Sequence, residues 1–493
     1  MTNINRTFVS HIILILCITI FIILRIPSLF EPHWYGDEGV YAGVAYAMEH
    51  GRTLYTEVWD NKPPGIYFLY MLGNPENRLL VIRLLNILAG ALTIAGLLSL
   101  MKRLQFNTIA STLSLGLATF LLGTPLFEGN IANGENFFLP FIVWGLYFGL
   151  SHKSRDLFIA GCIFGLGFWI KFHPFFDLCA LALYSAIISY KKSYTQAFRS
   201  VATLFLGFLL PIIALFGYLI YHDTLIIGLK TIFLGNVSYT RVFQLPYLTQ
   251  EVRIGLLITA LTTACWLFSR RKISRNALFI LCVFCIEYFA ALLSGRRYTH
   301  YLLGVIPGLS LLVGFTLSKL WEYKHLARSA FLTSVISISL ILGFYIFSLG
   351  DGYLLDTDPI SYYSKFFSYI RGEKSYFLNP IEERIQKLNS RLRTKYVGAK
   401  IHLYTDNPWY YDQTQTVPPL SFIPAYHQAL RENGQQLYIQ ELEALQPTLI
   451  VVEKSSYRAV LFTTYLDTHF VNDGEDETFI YYIKRDARLS VRR

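Results

Sequence analysis

A series of long apolar runs, separated by short polar connections, restricts the fold of this chain more than any other feature. Eleven runs approach or reach the roughly 20 residues that a helix needs to cross a bilayer. They cover residues 8–24, 79–101, 109–127, 137–150, 157–172, 174–190, 201–221, 254–269, 276–293, 301–318 and 330–349. Only 15% of the residues are charged, against about 25% in an ordinary soluble domain. The chain is therefore predicted to be an α-helical polytopic membrane protein with about eleven transmembrane helices.

The charges divide the chain into two predicted domains. Residues 351–493 hold 17 basic and 18 acidic side chains, whereas residues 1–350 hold 26 basic and 15 acidic ones. This difference predicts a transmembrane domain over 1–350 followed by a water-exposed domain over 351–493. The basic excess is not arranged as a stripe interleaved with exposed aromatic residues, so nucleic acid is not an expected partner.

The C-terminal segment has the pattern of a small soluble α/β domain. "NPIEERIQKLNSRLRTK" predicts an amphipathic helix, with Asn379 as its cap and Pro380 in its first turn. "KIHLYT", "PTLIVVE" and "TFIYYIKRD" are strand-like runs bounded by turn residues.

The connections between the apolar runs predict the orientation of the protein in its membrane. "MKRLQ", "SHKSRD", "YKKSYTQAFR", "SRRKISR" and "SKLWEYKHLAR" alternate with connections that are poor in Lys and Arg, such as "FEGNIANGEN". The positive-inside rule then places the N-terminus in the cytoplasm. With eleven crossings, the first outer loop and the C-terminal domain are expected on the extracytoplasmic side of the plasma (inner) membrane.

Ionisable residues gather in four connections on that side. They are Asp37, Glu38, Glu57, Asp60 and Lys62 in the first outer loop, Glu128 and Glu135 in the second, Lys171 and His173 after the fifth run, and Arg296, Arg297 and His300 after the ninth. Ionisable groups at membrane depth cost about 2.5–3.5 kcal/mol each, so they are usually functional or paired. The pattern favours one site built from four loops. The alternatives are a snorkelling Lys62, a helix-capping Glu135, and headgroup contacts by Arg297 and His300.

The first outer loop, residues 27–78, has internal structure. Apolar residues recur at helical spacing from Asp37 to His50, which predicts a helix lying in the membrane interface; they are Val40, Val44, Ala47 and Met48. Asp37 and Glu38 then stand in its first turn, where the helix dipole favours acids. Adjacent helical residues point about 100° apart, so two different roles are more plausible than a shared proton. Ordinary N-terminal helix charges are the alternative.

Several segments together resemble a known family. "RIPSLFEPHWYGDEGVYAGVAYAMEHGRTLYTEVWDNKPPGIYF" is similar to the first outer loop of the GT-C glycosyltransferases related to protein O-mannosyltransferases and to the lipid A aminoarabinose transferase. Glu135 matches the acid of that family's second outer loop. "SGRRYTHYLLGVIPGLSLL" and "KIHLYTDNPWYYDQT" resemble the family's late R…HY…P segment and the opening strand of its soluble domain.

The resemblance implies transfer of a sugar from a polyprenyl-phosphate donor to a lipid, glycan or protein acceptor on the extracytoplasmic face. Asp37 would be the catalytic base, with Glu38 in support. Cations must stabilise the departing phosphate, and these would be Lys62, Arg297 and Lys171. The remaining polar residues are expected to bind substrate: Asp60, Glu135, His173, His300 and Tyr301. Membrane lipids are expected as the surrounding partners.

The aminoarabinose transferases carry an acid before the Lys-Pro-Pro turn that can take part in a metal site. Here that position is Asn61, so no cofactor is carried over, and a divalent metal stays an alternative that this sequence does not support. The competing hypothesis is a transporter or flippase of a lipid-linked sugar, and a lipid-binding scaffold is a more distant one. A transporter would tend to place ionisable residues near the bilayer midplane in two repeated halves. This chain has neither feature.

Overall fold

The computed structural model of the protein describes residues 3–151, 153–235, 249–296, 298–322, 358–373, 377, 381–431 and 433–485. Its first part is almost entirely helical. The helices are α1 (Asn3–Arg25), α2 (Gly36–Glu49), α3 (Gly65–Tyr70), α4 (Arg78–Arg103), α5 (Thr108–Gly123), α6 (Gly134–Gly149), α7 (Ser154–Phe168), α8 (Pro174–Tyr190), α9 (Tyr194–Tyr221), α10 (Leu225–Leu229), α11 (Gln250–Ser269), α12 (Arg275–Leu292) and α13 (Ile306–Glu322). Short 3-10 turns at Ile26–Phe30, Pro125–Phe127 and Thr299–Val305 connect some of them.

The predicted polytopic membrane fold is confirmed. A helix occupies each of the first ten predicted runs, and the run 330–349 lies outside the described residues. Within the described part of the chain, six helical segments are long and apolar enough to cross a membrane: Phe8–Phe30, Arg78–Arg103, Tyr194–Tyr221, Gln250–Ser269, Arg275–Leu292 and Thr299–Lys319. Several of the other helices are shorter, so the total of eleven crossings stays a prediction.

Buried polar groups fix the second outer loop to the neighbouring helices. Arg25, at the end of α1, is 1% exposed and donates to the carbonyl oxygens of Gly129 and Asn130, the latter at 3.1 Å. Asn86 on α4 donates from Nδ2 to the carbonyl of Ile131 at 2.7 Å. These bonds satisfy loop carbonyls that have no regular secondary-structure partner, and they hold the loop that leads into Glu135.

The C-terminal part is a small α/β structure. Its helices are α14 (Pro359–Ile370), α15 (Ile381–Thr394), α16 (Trp409–Gln413), α17 (His427–Leu430), α18 (Gly434–Leu445) and α19 (Val460–His469). Its strands are β1 (Ile401–Tyr404), β2 (Leu449–Glu453), β3 (Phe470–Glu475) and β4 (Phe479–Lys484), in the order β1-β2-β4-β3. β1 and β2 are parallel, and the other two pairings are antiparallel.

The three predicted strands and the predicted helix are present in this domain as β1, β2, β4 and α15. The predicted cap at Asn379 and Pro380 lies outside the described residues. Strand β3 was not predicted, because "FVNDGE" is polar and glycine-containing. It pairs with β4 across a register shift between Asn472 and Gly474. This pairing, rather than the β-propensity of its own residues, stabilises β3 as a strand.

The chain forms two compact units. The first, here the membrane unit, comprises residues 1–29, 83–217 and 240–365; the second, the loop–sheet unit, comprises 30–82, 218–239 and 366–493. The predicted domain boundary near residue 350 stays a prediction. The contacts add that the first outer loop packs with the C-terminal sheet domain rather than standing alone between two spans.

Candidate functional site

Helix α2 carries the two adjacent acids of the first outer loop. It runs from Gly36 to Glu49, and Asp37 and Glu38 stand in its first turn, as the spacing predicts. Glu38 is fully buried, whereas Asp37 is only partly buried. Every residue from Glu38 to Ala47 is buried, so α2 lacks the single buried face expected of an interfacial helix. Trp409, Pro408 and Ile423 of the C-terminal domain cover the side of α2 that carries Gly39 and Gly43.

The "DNKPP" turn is organised around the buried carboxylate of Asp60, which is 2% exposed. Asp60 accepts hydrogen bonds from the Tyr67 hydroxyl at 2.8 Å and from the Asn61 backbone at 2.7 Å. Its Oδ1 lies 3.5 Å from Nζ of Lys62. The Tyr55 hydroxyl donates to the carbonyl of Lys62 at 2.8 Å. Asp60 therefore holds Lys62 by its ammonium group, while Tyr55 holds its backbone.

Electrostatics keep Asp60 ionised in spite of its burial. Burial alone would raise the pKa of this carboxyl, but the charge of Lys62 and the two hydrogen bonds lower the pKa below its ordinary value. His427, from the C-terminal domain, also faces Asp60. Because burial lowers the pKa of His427 to about 4, its ring is neutral at neutral pH. At neutral pH the charge of Lys62 therefore makes the largest contribution to keeping Asp60 a carboxylate.

Lys62 and Asp37 share one side of α2. Nζ of Lys62 lies 5.5 Å from the ring centroid of Tyr41, a cation–π distance. Tyr41 is four residues after Asp37, and residues at this spacing are neighbours on a helix surface. A partly exposed carboxylate and a held ammonium group therefore occupy the same side of α2. We call the side defined by Asp37, Tyr41 and Lys62 the acid–lysine face.

A second polar group lies inside the membrane unit. Nζ of Lys171 forms an ion pair with Oε1 of Glu135 in the first turn of α6, and it stands 5.0 Å from the ring centroid of Tyr301. Glu135 is 1% exposed. Lys171 follows α7, and Tyr301 lies in the 3-10 turn before α13. Three of the residues predicted to bind substrate or phosphate are thus brought together.

Glu128 extends this second group. It stands in a left-handed conformation with φ of 56°, accepts a hydrogen bond from the Thr299 hydroxyl, and lies 3.1 Å from Nδ1 of His300. His173 stacks on Phe138, with the ring centroids 5.3 Å apart. Burial lowers the pKa of His173 to about 3, with a further contribution from Lys171, so this ring is neutral at physiological pH. His173 can therefore exchange hydrogen bonds but does not supply a cation.

The remaining predicted residues are distributed as follows. Arg297 lies outside the described residues. Asp37, Glu38, Asp60 and Lys62 belong to the loop–sheet unit, whereas Glu135, Lys171, His173, His300 and Tyr301 belong to the membrane unit. The convergence of all four loops stays a prediction. Among the described residues, no three His, Cys, Asp or Glu side chains are grouped so that they could hold a metal ion.

Sequence reasoning missed the residues that hold the predicted ones. Tyr41 was absent from the predicted site because a tyrosine on a helix rich in Ala, Gly and Val has the pattern of core. Tyr67 was missed because the sequence does not predict the turn that brings its hydroxyl group to Asp60. His427 is more than 360 residues away in the chain, so only an alignment of related sequences would have linked it to Asp60. Glu128 is the one such residue that the sequence could have indicated, because it is an acid in the same outer connection as Glu135.

The Asp60–Lys62 pair predicts a pH-dependent loss of stability. Replacing Asp60 by Asn is expected to lower the free energy of unfolding at neutral pH by about 1–3 kcal/mol, the usual cost of losing bonds to a buried charged group. The pKa of Asp60 is depressed in the folded protein. Its stabilising contribution is therefore complete above the ordinary pKa of 3.8 and is lost as the pH falls through the folded-state pKa.

Thermal unfolding of the wild type and of Asp60→Asn between pH 7 and pH 3 measures this effect. The two melting curves are expected to approach each other only below about pH 4, where carboxyl groups of ordinary pKa take up protons. Glu76→Gln, an exposed change in the same loop, is the matched control and is expected to leave the melting temperature unaltered. A constant difference between wild type and Asp60→Asn over the whole pH range would contradict the assignment.

Comparisons with known proteins relate part of this sequence to one family model and the fold to solved structures. Residues 61–218 match the family model described as dolichyl-phosphate-mannose-protein mannosyltransferase. The fold is similar to that of ArnT from Cupriavidus metallidurans bound to undecaprenyl phosphate. The TM-score is 0.50 at 14% sequence identity, over 95% of this chain and 97% of that one. The archaeal oligosaccharyltransferase AglB from Archaeoglobus fulgidus, in complex with an inhibitory peptide and a dolichol-phosphate, gives a TM-score of 0.44 at 12% identity, over 92% of this chain and 70% of that one. A comparison with curated protein sequences finds no match.

The fold therefore defines the class of protein as a GT-C-type polytopic membrane protein. Within that class, the predicted resemblance to the protein O-mannosyltransferase type of GT-C protein is confirmed. The family match begins at Asn61, so it includes Lys62, Glu135, Lys171 and His173.

Proposed function

We propose that this protein is a membrane glycosyltransferase that moves a sugar from a polyprenyl-phosphate donor to a hydroxyl-bearing acceptor on the extracytoplasmic face of the plasma membrane. The observation that carries the proposal is the acid–lysine face, where Asp37 and Lys62 stand on one side of α2. The family match and the undecaprenyl phosphate named for ArnT support a lipid-phosphate donor.

The chemistry needs one base and a set of cations. Asp37 takes the proton of the acceptor hydroxyl while that oxygen attacks the anomeric carbon of the donor sugar. The bond between the anomeric carbon and the phosphate oxygen breaks, and both of its electrons leave with the polyprenyl phosphate. A phosphate is a good leaving group, so a general acid is not required. Glu38 is buried beside Asp37 in the first turn of α2, and we propose that it supports Asp37 as the base.

The departing phosphate gains negative charge as the bond breaks. Lys62 meets that charge, and we propose that Lys171 and Arg297 add to it. Lys62 and Lys171 are each held by a buried carboxylate, Lys62 by Asp60 and Lys171 by Glu135. Such pairs fix the ammonium groups in advance, so that little reorganisation accompanies bond cleavage. We propose that Asp60 and Glu135 act on the substrate through the lysines, and that His173, His300 and Tyr301 bind substrate beside Lys171.

The function is tested with purified protein in detergent and a panel of radiolabelled polyprenyl-phosphate hexoses and pentoses, supplied with envelope lipids and glycans as acceptors. A glycosyltransferase releases polyprenyl phosphate and labels an acceptor without any sealed membrane. A flippase would leave the donor intact in detergent and would move it across the bilayer of a sealed proteoliposome. Donor that is stable in micelles but translocated in vesicles would overturn the proposal.

The sugar and the acceptor are identified by comparing envelope lipids and glycans, by mass spectrometry, from cells with and without the gene. The lost sugar mass identifies the donor, and the molecule that lost it identifies the acceptor. Unchanged lipid, glycan and protein glycosylation profiles would contradict a transferase acting on the envelope.

A single displacement at the anomeric carbon predicts inversion of configuration. Nuclear magnetic resonance of the product is expected to show the anomeric configuration opposite to that of the donor. A product that retains the configuration of the donor would rule out a single in-line displacement and would overturn the role of Asp37 as the base of that step.

A further inference from the structure

One side of α2 is formed by glycines and is covered by the C-terminal part of the chain. A Cβ atom at Gly39 would lie 2.9 Å from Cδ1 of Trp409 and 3.0 Å from its backbone nitrogen. A Cβ atom at Gly43 would lie 3.1 Å from Cγ2 of Ile423 and 3.4 Å from the carbonyl oxygen of Pro408. The indole of Trp409 is completely buried. The C-terminal residues therefore rest directly on the α2 backbone, and we call this side the glycine face.

The glycine face lies opposite the acid–lysine face. Successive residues rotate by about 100° around a helix, so Gly39 points about 200° and Gly43 about 240° away from Asp37. Tyr41 points only about 40° away from Asp37, on the side where Lys62 stands. The C-terminal domain thus supports α2 from behind, and the base and the lysine stand on the other side.

Further contacts fix the chain just before α2. Nδ1 of His33 lies 2.6 Å from Oε1 of Glu382, and the His33 ring meets Trp409 edge-on with the centroids 4.7 Å apart. Nδ2 of Asn407 donates to the His33 carbonyl at 3.3 Å. His33 precedes Asp37 by only four residues. These bonds therefore determine the angle at which the chain enters the helix.

The other end of α2 is fixed by a buried arginine. Nη2 of Arg78 donates to Oε2 of Glu49, the last residue of α2, at 2.7 Å. Nε of the same guanidinium donates to Oδ1 of Asp412 in α16 at 2.8 Å, and neither Arg78 nor Asp412 has exposed side-chain surface. The segment 407–413 therefore holds α2 at its start, along its glycine face and at its end.

The composition of α2 makes this support necessary. Gly36, Gly39 and Gly43 are three of its 14 residues, and glycine is among the poorest helix formers. The residue before the helix, Tyr35, makes no capping side-chain hydrogen bond. A helix of this kind owes its order to packing rather than to its own propensity.

We infer that the C-terminal segment 407–413 is a positioning element for catalysis, with Trp409 as its central positioning residue. It fixes the orientation of α2, and thereby the position of Asp37 relative to the acceptor hydroxyl and to Lys62. The catalytic part of this inference rests on the proposed glycosyltransferase function. The docking of the segment on the glycine face does not.

Three single variants and one double variant test the inference in the full-length protein. Gly39→Ala pushes the helix away from Trp409. Gly36→Ala is the matched control in the same helix, because its Cβ would meet no atom within 4 Å. Trp409→Ala removes the indole from the contact and leaves the backbone nitrogen. The double variant Gly39→Ala/Trp409→Ala completes a double-mutant cycle. For each protein we measure the Kd for donor and the melting temperature. We also measure kcat, normalised to the number of protein molecules that bind donor (kcat per donor-binding molecule).

Gly39→Ala is expected to lower kcat at least tenfold while the donor Kd changes less than twofold. Gly36→Ala is expected to leave both unchanged. In the Trp409→Ala background, the further loss of kcat caused by Gly39→Ala is expected to fall below threefold. A purely structural contact would lower the folded fraction and leave kcat per donor-binding molecule intact. That outcome, or kcat losses that simply multiply in the double variant, would overturn the positioning role.

If Trp409→Ala does not fold, a second double-mutant cycle with smaller changes replaces the first. Gly43→Ala with Ile423→Ala removes the Cγ2 contact at 3.1 Å and is expected to show the same rescue. If the wild type consumes no donor, the proposed function fails and the catalytic positioning fails with it. The melting temperatures of the same cycle then judge the docking alone, and additive shifts would overturn it.

Discussion

Replacement of Asp37 by Asn is expected to lower the turnover number of sugar transfer by about 10²–10⁴-fold, the range that a positioned general base supplies. Asn has nearly the same shape as Asp and does not accept the hydroxyl proton of the acceptor. We propose that donor binding depends on Lys62, on the same side of α2, so binding is expected to survive. The measurement is single-turnover transfer of labelled sugar, together with equilibrium binding of the donor to the same preparation.

Glu38→Gln is the matched control for this prediction, because it removes the neighbouring carboxylate from the same helical turn. Glu38 is fully buried whereas Asp37 is partly exposed, so only Asp37 is open to an acceptor. We expect Glu38→Gln to reduce turnover by about tenfold at most, well short of what loss of a general base costs. Near-normal turnover of Asp37→Asn would refute the assignment of the base. A larger loss from Glu38→Gln would exchange the two roles.

The main features of the membrane fold follow from hydropathy alone. Apolar runs of spanning length become helices in a bilayer because every backbone donor and acceptor must find a partner within the segment. The first ten predicted runs therefore appear as helices, and the apolar spacing of the first loop correctly placed Asp37 and Glu38 in the first turn of α2. The ends of the runs differ by several residues, because hydropathy marks the apolar span and not the hydrogen-bonded helix.

The supporting contacts of the candidate site were beyond sequence reasoning. Trp409 and Gly39 are 370 positions apart, and nothing in either segment indicates that one rests on the other. The glycines of α2 had the appearance of helix-weakening residues, and only the position of Trp409 explains why larger side chains do not fit there. The predicted interfacial helix was correct as a helix. Its burial was not predicted, because the apolar spacing of one face says nothing about what covers the others.

The second large effect is expected from Lys62. Lys62→Ala is expected to lower kcat by about 10²–10³-fold, since preorganised charges facing a developing negative charge have effects of this size. The departing polyprenyl phosphate carries more negative charge than the donor diester. The affinity for polyprenyl phosphate is therefore expected to fall more than the affinity for donor. Lys62→Arg keeps the charge but replaces a compact ammonium with a planar fork, and we expect it to recover only part of the rate.

Two controls make the Lys62 prediction specific. Lys153→Ala removes the same charge from an exposed position in a basic connection between helices, and it is expected to leave kcat and both affinities unchanged. Asp60→Asn keeps Lys62 but loses the carboxylate that holds it. If preorganisation matters, it is expected to lower kcat by an amount between those of Lys62→Arg and Lys62→Ala. Equal losses of donor and polyprenyl phosphate affinity in Lys62→Ala, with an unchanged kcat, would show that this lysine binds the lipid without stabilising its departure. The acid–lysine face would then serve recognition, and the stabilising cations would have to come from Lys171 and its neighbours in the membrane unit.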